Sequence, residues 1–162
     1  MKKRLLFQGD SITDCDRVIR VPISDGHPDL GKGYVLRIAR QLPTWEVLNC
    51  GISGKRVVDL CARWKPDALH LKPDAISILV GVNDTWHEVR WGNGVEVPRY
   101  ENIYRLLLEW TLAAVQGVKL ILCEPFVLPC GEVGPAWTDE IEQLRQVVKK
   151  LAVEFGAVFV PF

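Results

Sequence analysis

Three observations in the sequence predict an α/β fold built on a parallel sheet. Short apolar runs alternate regularly with longer stretches of helical period. The runs are apolar on both faces, as strands covered by helices on two sides must be. Strand, helix, strand in repetition calls for right-handed crossovers between parallel neighbours.

The strands are read, in order, at RLLFQG (4–9), WEVLNCG (45–51), AISILVG (75–81), KLILCEP (119–125) and AVFVPF (157–162). Between the first two, a short helix is expected around residues 33–42, and another around 56–64 after the second. From about Arg99 to Gln116, Ile103, Leu107, Trp110 and Ala114 recur at helical spacing, and Gly117 supplies a stop. The clearest helix runs from about Ala136 to Phe155, with Trp137, Ile141, Leu144, Val148, Leu151 and Phe155 on one face and Gly156 beyond it. Trp45, Trp64 and Trp110 occupy apolar positions of regular elements and are expected in the core. Residues 10–32, 82–98 and 125–135 read as long loops, each following a strand. They therefore gather at the C-terminal edge of the sheet, where open α/β folds bind ligands.

At 162 residues the chain suits a single domain, 1–162, without an internal repeat or linker. Twenty basic residues balance twenty acidic ones, so no net field favours nucleic acid or an anionic membrane. The opening MKKRLLF holds only three apolar residues before Gln8, too few for the roughly 7–15 of a secretory core. No run is long enough to span a bilayer. Five scattered cysteines without a C-x-x-C pair signal neither a disulfide framework nor a zinc site, and Cys50 and Cys123 read as buried small hydrophobes. A reduced, cytoplasmic protein is expected.

Three strand ends carry polar residues with chemical potential: GDSIT (9–13), NCGISG (49–54) and GVND (81–84). Singly, each has an ordinary explanation, since Ser, Asn and Asp cap helices and Gly forms turns. Together they fall on one edge of one sheet. Ser11 would offer a hydroxyl nucleophile. The N–H groups of Ser11 and Gly51 and the side-chain amide of Asn83 would offer donors to a developing oxyanion.

These three blocks, in this order and at about these spacings, resemble those of the SGNH (GDSL) hydrolase family. The pattern differs from the G-x-S-x-G elbow of other α/β hydrolases, because a second glycine is missing after Ser11. The resemblance implies a three-layer, flavodoxin-like α/β/α sandwich with a five-stranded parallel sheet in the order 2-1-3-4-5. It implies ester hydrolysis through an acyl-enzyme, with Ser11 as nucleophile, Gly51 and Asn83 as oxyanion donors, and no metal or organic cofactor. Within the family, GDSITDC, LGKGYV, GISGKRVVDLCARW and GVNDTW look most like bacterial acetyl xylan esterases and related carbohydrate deacetylases. The implied partner is a small-molecule or oligosaccharide ester. Asp10, Trp86, His87 and Trp91 are the candidate substrate contacts, the two tryptophans because flat aromatic faces suit sugar rings. Packing the loop against the body explains those tryptophans equally well.

One family block has no counterpart. The Asp-x-x-His motif that supplies the general base and its orienting acid should follow the fifth strand, where this sequence stops at Phe162. The final helix of the topology is missing with it, so the domain is expected to be C-terminally incomplete. His27, in SDGHPD, sits in the first loop with the wrong spacing. His70 precedes the third strand, at the opposite edge of the sheet. His87 lies on the correct edge, four residues past Asn83, and suits substrate contact better than base catalysis. Without a base, only about 10³–10⁴-fold acceleration from oxyanion stabilisation and binding should survive. The expectation is an impaired or inactive esterase. The alternatives are a non-catalytic binding module, a truncated product that self-associates through its uncovered sheet face, and a lipase or lysophospholipase of the same family.

Overall fold

The computed structural model describes residues 2–18, 29–131 and 133–162. The element order is β1 (Lys3–Gly9), α1 (Ser11–Asp14), α2 (Tyr34–Gln41), β2 (Trp45–Asn49), α3 (Val57–Asp67), β3 (Ala75–Leu79), α4 (Val82–Trp91), α5 (Val97–Ala114), β4 (Lys119–Cys123), α6 (Pro135–Glu154) and β5 (Val158–Val160). A short 3-10 turn, Leu69–Leu71, leads into β3. The five strands form one parallel sheet, as the alternation of runs predicts, in the order β2-β1-β3-β4-β5 that the family resemblance implies.

Alternation along each strand sorts the core into two layers. Leu6 of β1, Ile76 and Ile78 of β3 and Leu120 and Leu122 of β4 face α3, α5 and α6. Trp64, Leu60, Tyr104, Leu107, Leu144 and Leu151 from those helices complete this larger core. On the other face, Leu5, Phe7 and Ala75 pack with Val35 of α2, and Tyr34 closes edge-on to Phe7 at 5.6 Å. Farther along that face the cover thins. Val158, paired with Ile121 in register and so pointing the same way, is 59% exposed.

Two expectations need correction. Residues 82–98 are not one long loop, because Val82–Trp91 form α4. The polar residues that hid this helix are buried in its first turn: Asn83, Asp84 and Thr85. Trp110 is not a core residue. It stands on the outer side of α5 beside Leu106 and is 37% exposed, whereas Trp64 is fully buried and donates its indole N–H to Thr111 Oγ1 at 2.9 Å. The apolar repeat in this helix is wider than the stripe that packs, so the period alone assigns too many residues to the core. Cys50 and Cys123 are buried, as expected.

Candidate active site

The site forms where β1, β2 and β3 end side by side. Because β1 lies between the other two, the residues after it sit between those that follow β2 and β3. A close approach fixes the turn out of β1. A Cβ on Gly9 would lie 2.3 Å from the Leu79 carbonyl oxygen and 2.5 Å from Thr13 Oγ1, so a side chain there is excluded. Asp10 then caps α1, its Oδ1 accepting the Ile12 N–H at 3.0 Å. Ser11 is the first residue of that helix and is exposed. Its N–H belongs to the terminal group that has no intrahelical acceptor.

Gly51 packs directly onto this turn. A Cβ there would meet Asp14 N at 2.6 Å and Thr13 Cβ at 2.7 Å. The Gly51 N–H donates to Asn49 Oδ1 at 3.0 Å, so a substrate oxyanion would compete with a neutral amide oxygen for that hydrogen. A charged acceptor holds the advantage in such a contest. Asn83, on the first turn of α4, is buried. Its Nδ2 donates to the Lys55 carbonyl at 3.1 Å, which orients the amide and leaves one N–H for another acceptor.

A polar lattice that sequence reading missed joins the three segments. Asn49 Nδ2 donates to the carbonyls of Thr13 (2.8 Å) and Leu30 (2.9 Å). Asp14 Oδ2 accepts the Ser53 N–H at 2.9 Å, and Arg17 Nη2 donates to the Gly51 carbonyl at 2.6 Å. Asp84 takes the Val57 N–H on both oxygens, at 3.0 and 3.3 Å, clamping the start of α3 to the start of α4. Asn49 and Asp84 lie inside the quoted motifs, and that proximity was the available signal. Asp14 shares that signal, lying within GDSITDC, whereas Arg17 had none, since the Gly51 carbonyl it meets is 34 residues away.

Burial dominates the electrostatics. It pushes the Asp10 carboxyl up to about 6 against the hydrogen bond from Ile12, and Oδ2 has no partner among the described residues. Burial likewise holds Asp84 well above the usual carboxylate range, and the Asp10 charge adds to the effect. Asp10, expected to touch substrate, is thus 1% exposed, with its carboxyl directed to the turn it caps.

Trp86, His87 and Trp91 form a cluster on α4. The Trp86 and Trp91 centroids are 5.0 Å apart, and the His87 ring meets Trp91 edge-on at 4.8 Å. Trp91 is exposed. Partial burial and the nearby Arg56 cation lower the His87 pKa, so its ring is neutral at pH 7. The exposed His70 sits in the turn before β3, at the far edge of the sheet. His27 lies outside the described residues. Among the described residues, no group of three or more His, Cys, Asp or Glu side chains is placed to hold a metal, and no helix is long and apolar enough to cross a membrane.

Comparison with known proteins identifies the fold and its relatives. Residues 7–162 match the GDSL-like lipase/acylhydrolase family. An acetylxylan esterase of Geobacillus stearothermophilus is 37% identical over 168 residues, covering 98% of this chain and 75% of that protein. A candidate GDSL-like lipase from Parabacteroides merdae superposes with a TM-score of 0.89 at 40% identity, covering 99% of this chain and 77% of the other. The crystal structure of a Geobacillus stearothermophilus acetylxylan esterase gives 0.84 at 36% identity, covering 97% and 74%. Catalytic mutants of that esterase alter a serine, an aspartate and a histidine.

Proposed function

Because the chain belongs to the GDSL-like lipase/acylhydrolase family, we propose that its site removes O-acetyl groups from carbohydrates, with Ser11 as nucleophile. The observation that carries this reading is the convergence of Ser11, Gly51 and Asn83 at the ends of three adjacent strands, with Asn83 oriented by Lys55. The Ser11 Oγ attacks the acetyl carbonyl and loses its proton to a base. The N–H groups of Ser11 and Gly51 and the Asn83 amide hold the tetrahedral oxyanion. Collapse expels the sugar oxygen, which is protonated as it leaves, and water then hydrolyses the acetyl-serine to acetate. Trp86 and Trp91 offer flat faces beside this centre on which a sugar ring can stack, and His87 adds a neutral imidazole for a sugar hydroxyl. Acetylated xylooligosaccharides are the substrate class that the similar esterases suggest.

Turnover by these 162 residues is proposed to be slow. The His87 ring is engaged by Trp86 and Trp91, and His70 is at the opposite sheet edge. On this reading neither described histidine takes the Ser11 proton, and a site working without a base keeps only the acceleration of the oxyanion hole and binding, about 10³–10⁴-fold.

Acetate release from acetylated xylooligosaccharides and from an aryl acetate tests both statements, with Ser11→Ala as control. Slow release that disappears in the variant is expected. Fast turnover lost with Ser11 would refute the impairment, whereas release unaffected by Ser11→Ala would refute the nucleophile. Binding of the sugar without any acetate release would favour a binding module, and preference for long-chain esters a lipase.

A further inference from the structure

We propose that Arg63 is a positioning residue of the oxyanion hole, acting through the peptide that supplies the Gly51 N–H. This rests on the reading of Gly51 as an oxyanion donor. The Gly51 nitrogen and the Cys50 carbonyl belong to one peptide unit. Arg63, on α3, places Nη1 2.9 Å from that carbonyl oxygen and Nη2 3.4 Å from the carbonyl of Gly9. The guanidinium therefore spans the ends of β1 and β2, directly behind the turn that carries Ser11.

Its placement is fixed from the far side. Asp67, one helical turn on, accepts from Arg63 Nη1 at 2.6 Å, and the Asp67 carbonyl accepts from the buried Gln8 Nε2 at 2.7 Å. The Arg63 Nε is buried and has no acceptor among the described residues.

The chemical consequence follows from amide resonance. A cation bonded to a carbonyl oxygen draws electron density from the nitrogen, strengthens the C–N double-bond character and makes the N–H a better donor. Chains of hydrogen bonds strengthen one another by about 10–30% per bond. In this structure the chain is guanidinium, Cys50 carbonyl, Gly51 N–H and then its acceptor. That acceptor is Asn49 Oδ1 without substrate and the oxyanion during reaction. Since one oxyanion donor is worth about 10²–10³ in kcat, a ~30% share corresponds to about fivefold.

The test compares the full chain with Arg63→Met, Arg63→Lys and Asp67→Asn by two readouts: the amide resonance of Gly51 in ¹H–¹⁵N spectra, and kcat and KM on an aryl acetate. Arg63→Met is expected to move the Gly51 proton upfield and lower kcat about fivefold with KM unchanged. Arg63→Lys should recover part of both effects, and Asp67→Asn, whose amide oxygen still accepts from Nη1 and so keeps the guanidinium on Cys50, should show little of either. A Gly51 resonance unmoved in Arg63→Met, or an equal loss in Asp67→Asn, overturns the proposal. If Arg63→Met does not fold, Arg63→Gln is read in its place by the same criteria. A chain that hydrolyses no ester would refute the esterase reading, while the Gly51 resonance would still decide the role of Arg63.

Discussion

At Asp10 a buried carboxyl caps the four-residue helix that begins with Ser11, and burial, which pushes its pKa up to about 6, makes the turn lose stability as the pH rises. The folded value lies above the ordinary 3.8, so the folded state holds the proton more tightly than the unfolded chain. Its stabilising contribution is full below pH 4 and is lost as the pH rises through 6. Asp84 shifts in the same direction, chiefly through burial, and the Asp10 charge adds to its shift. Asp10→Asn keeps the acceptor for Ile12 and removes the titration. Urea midpoints of the native chain should therefore fall between pH 4 and 6, and the variant should flatten that slope, by at most about 3 kcal/mol. Two other substitutions separate packing from chemistry. Gly51→Ala drives a methyl against the Asp14 backbone and should cost about 1–3 kcal/mol in a denaturant titration. Asn83→Ala should instead lower kcat about a hundredfold or more, with KM little changed.

Among the elements, α3 holds the site and the core together. Its N-terminus is tied to α4 through the Asp84 carboxylate and the Val57 N–H, and its middle is tied to α5 through Trp64 and Thr111. Thr111→Val keeps the volume and strands a buried indole N–H. It should destabilise the chain by about 1–3 kcal/mol in urea denaturation without altering ester turnover. A loss of turnover larger than the loss of stability would show that α3 transmits strain from the core to the strand ends.

For the whole molecule, the informative asymmetry is between the two sheet faces. Three long helices cover one, and α2 covers part of the other, where Val158 stands exposed beside the partly buried Ile121. Concentration-dependent association in sedimentation velocity is expected, with Val158→Lys shifting the chain toward monomer at little cost in stability. A native chain that stays monomeric throughout would disprove this expectation.

Much of this arrangement was legible in the residues themselves. Apolar runs and helical periods are local patterns, which is why five strands and four of the helices could be anticipated, whereas the strand order came with the family resemblance. Ser11, Gly51 and Asn83 were readable because they end strands that a parallel topology must bring to one edge. Helix α4 was not, since its first turn is polar and buried at once, a combination that no hydrophobic period reveals. Nor could the sequence show that Asp10 turns inward, that Asp84 clamps α3, or that Arg63 lies on the Cys50 carbonyl. Those facts depend on groups brought together from 13 to 54 residues apart. The sequence by itself determined which chemistry the strand ends can offer, because residue type and topology are enough for that. Only the tertiary structure decided which donors are oriented, which carboxyls are buried and which charges stand behind them, because distance and desolvation arise only when the chain is packed.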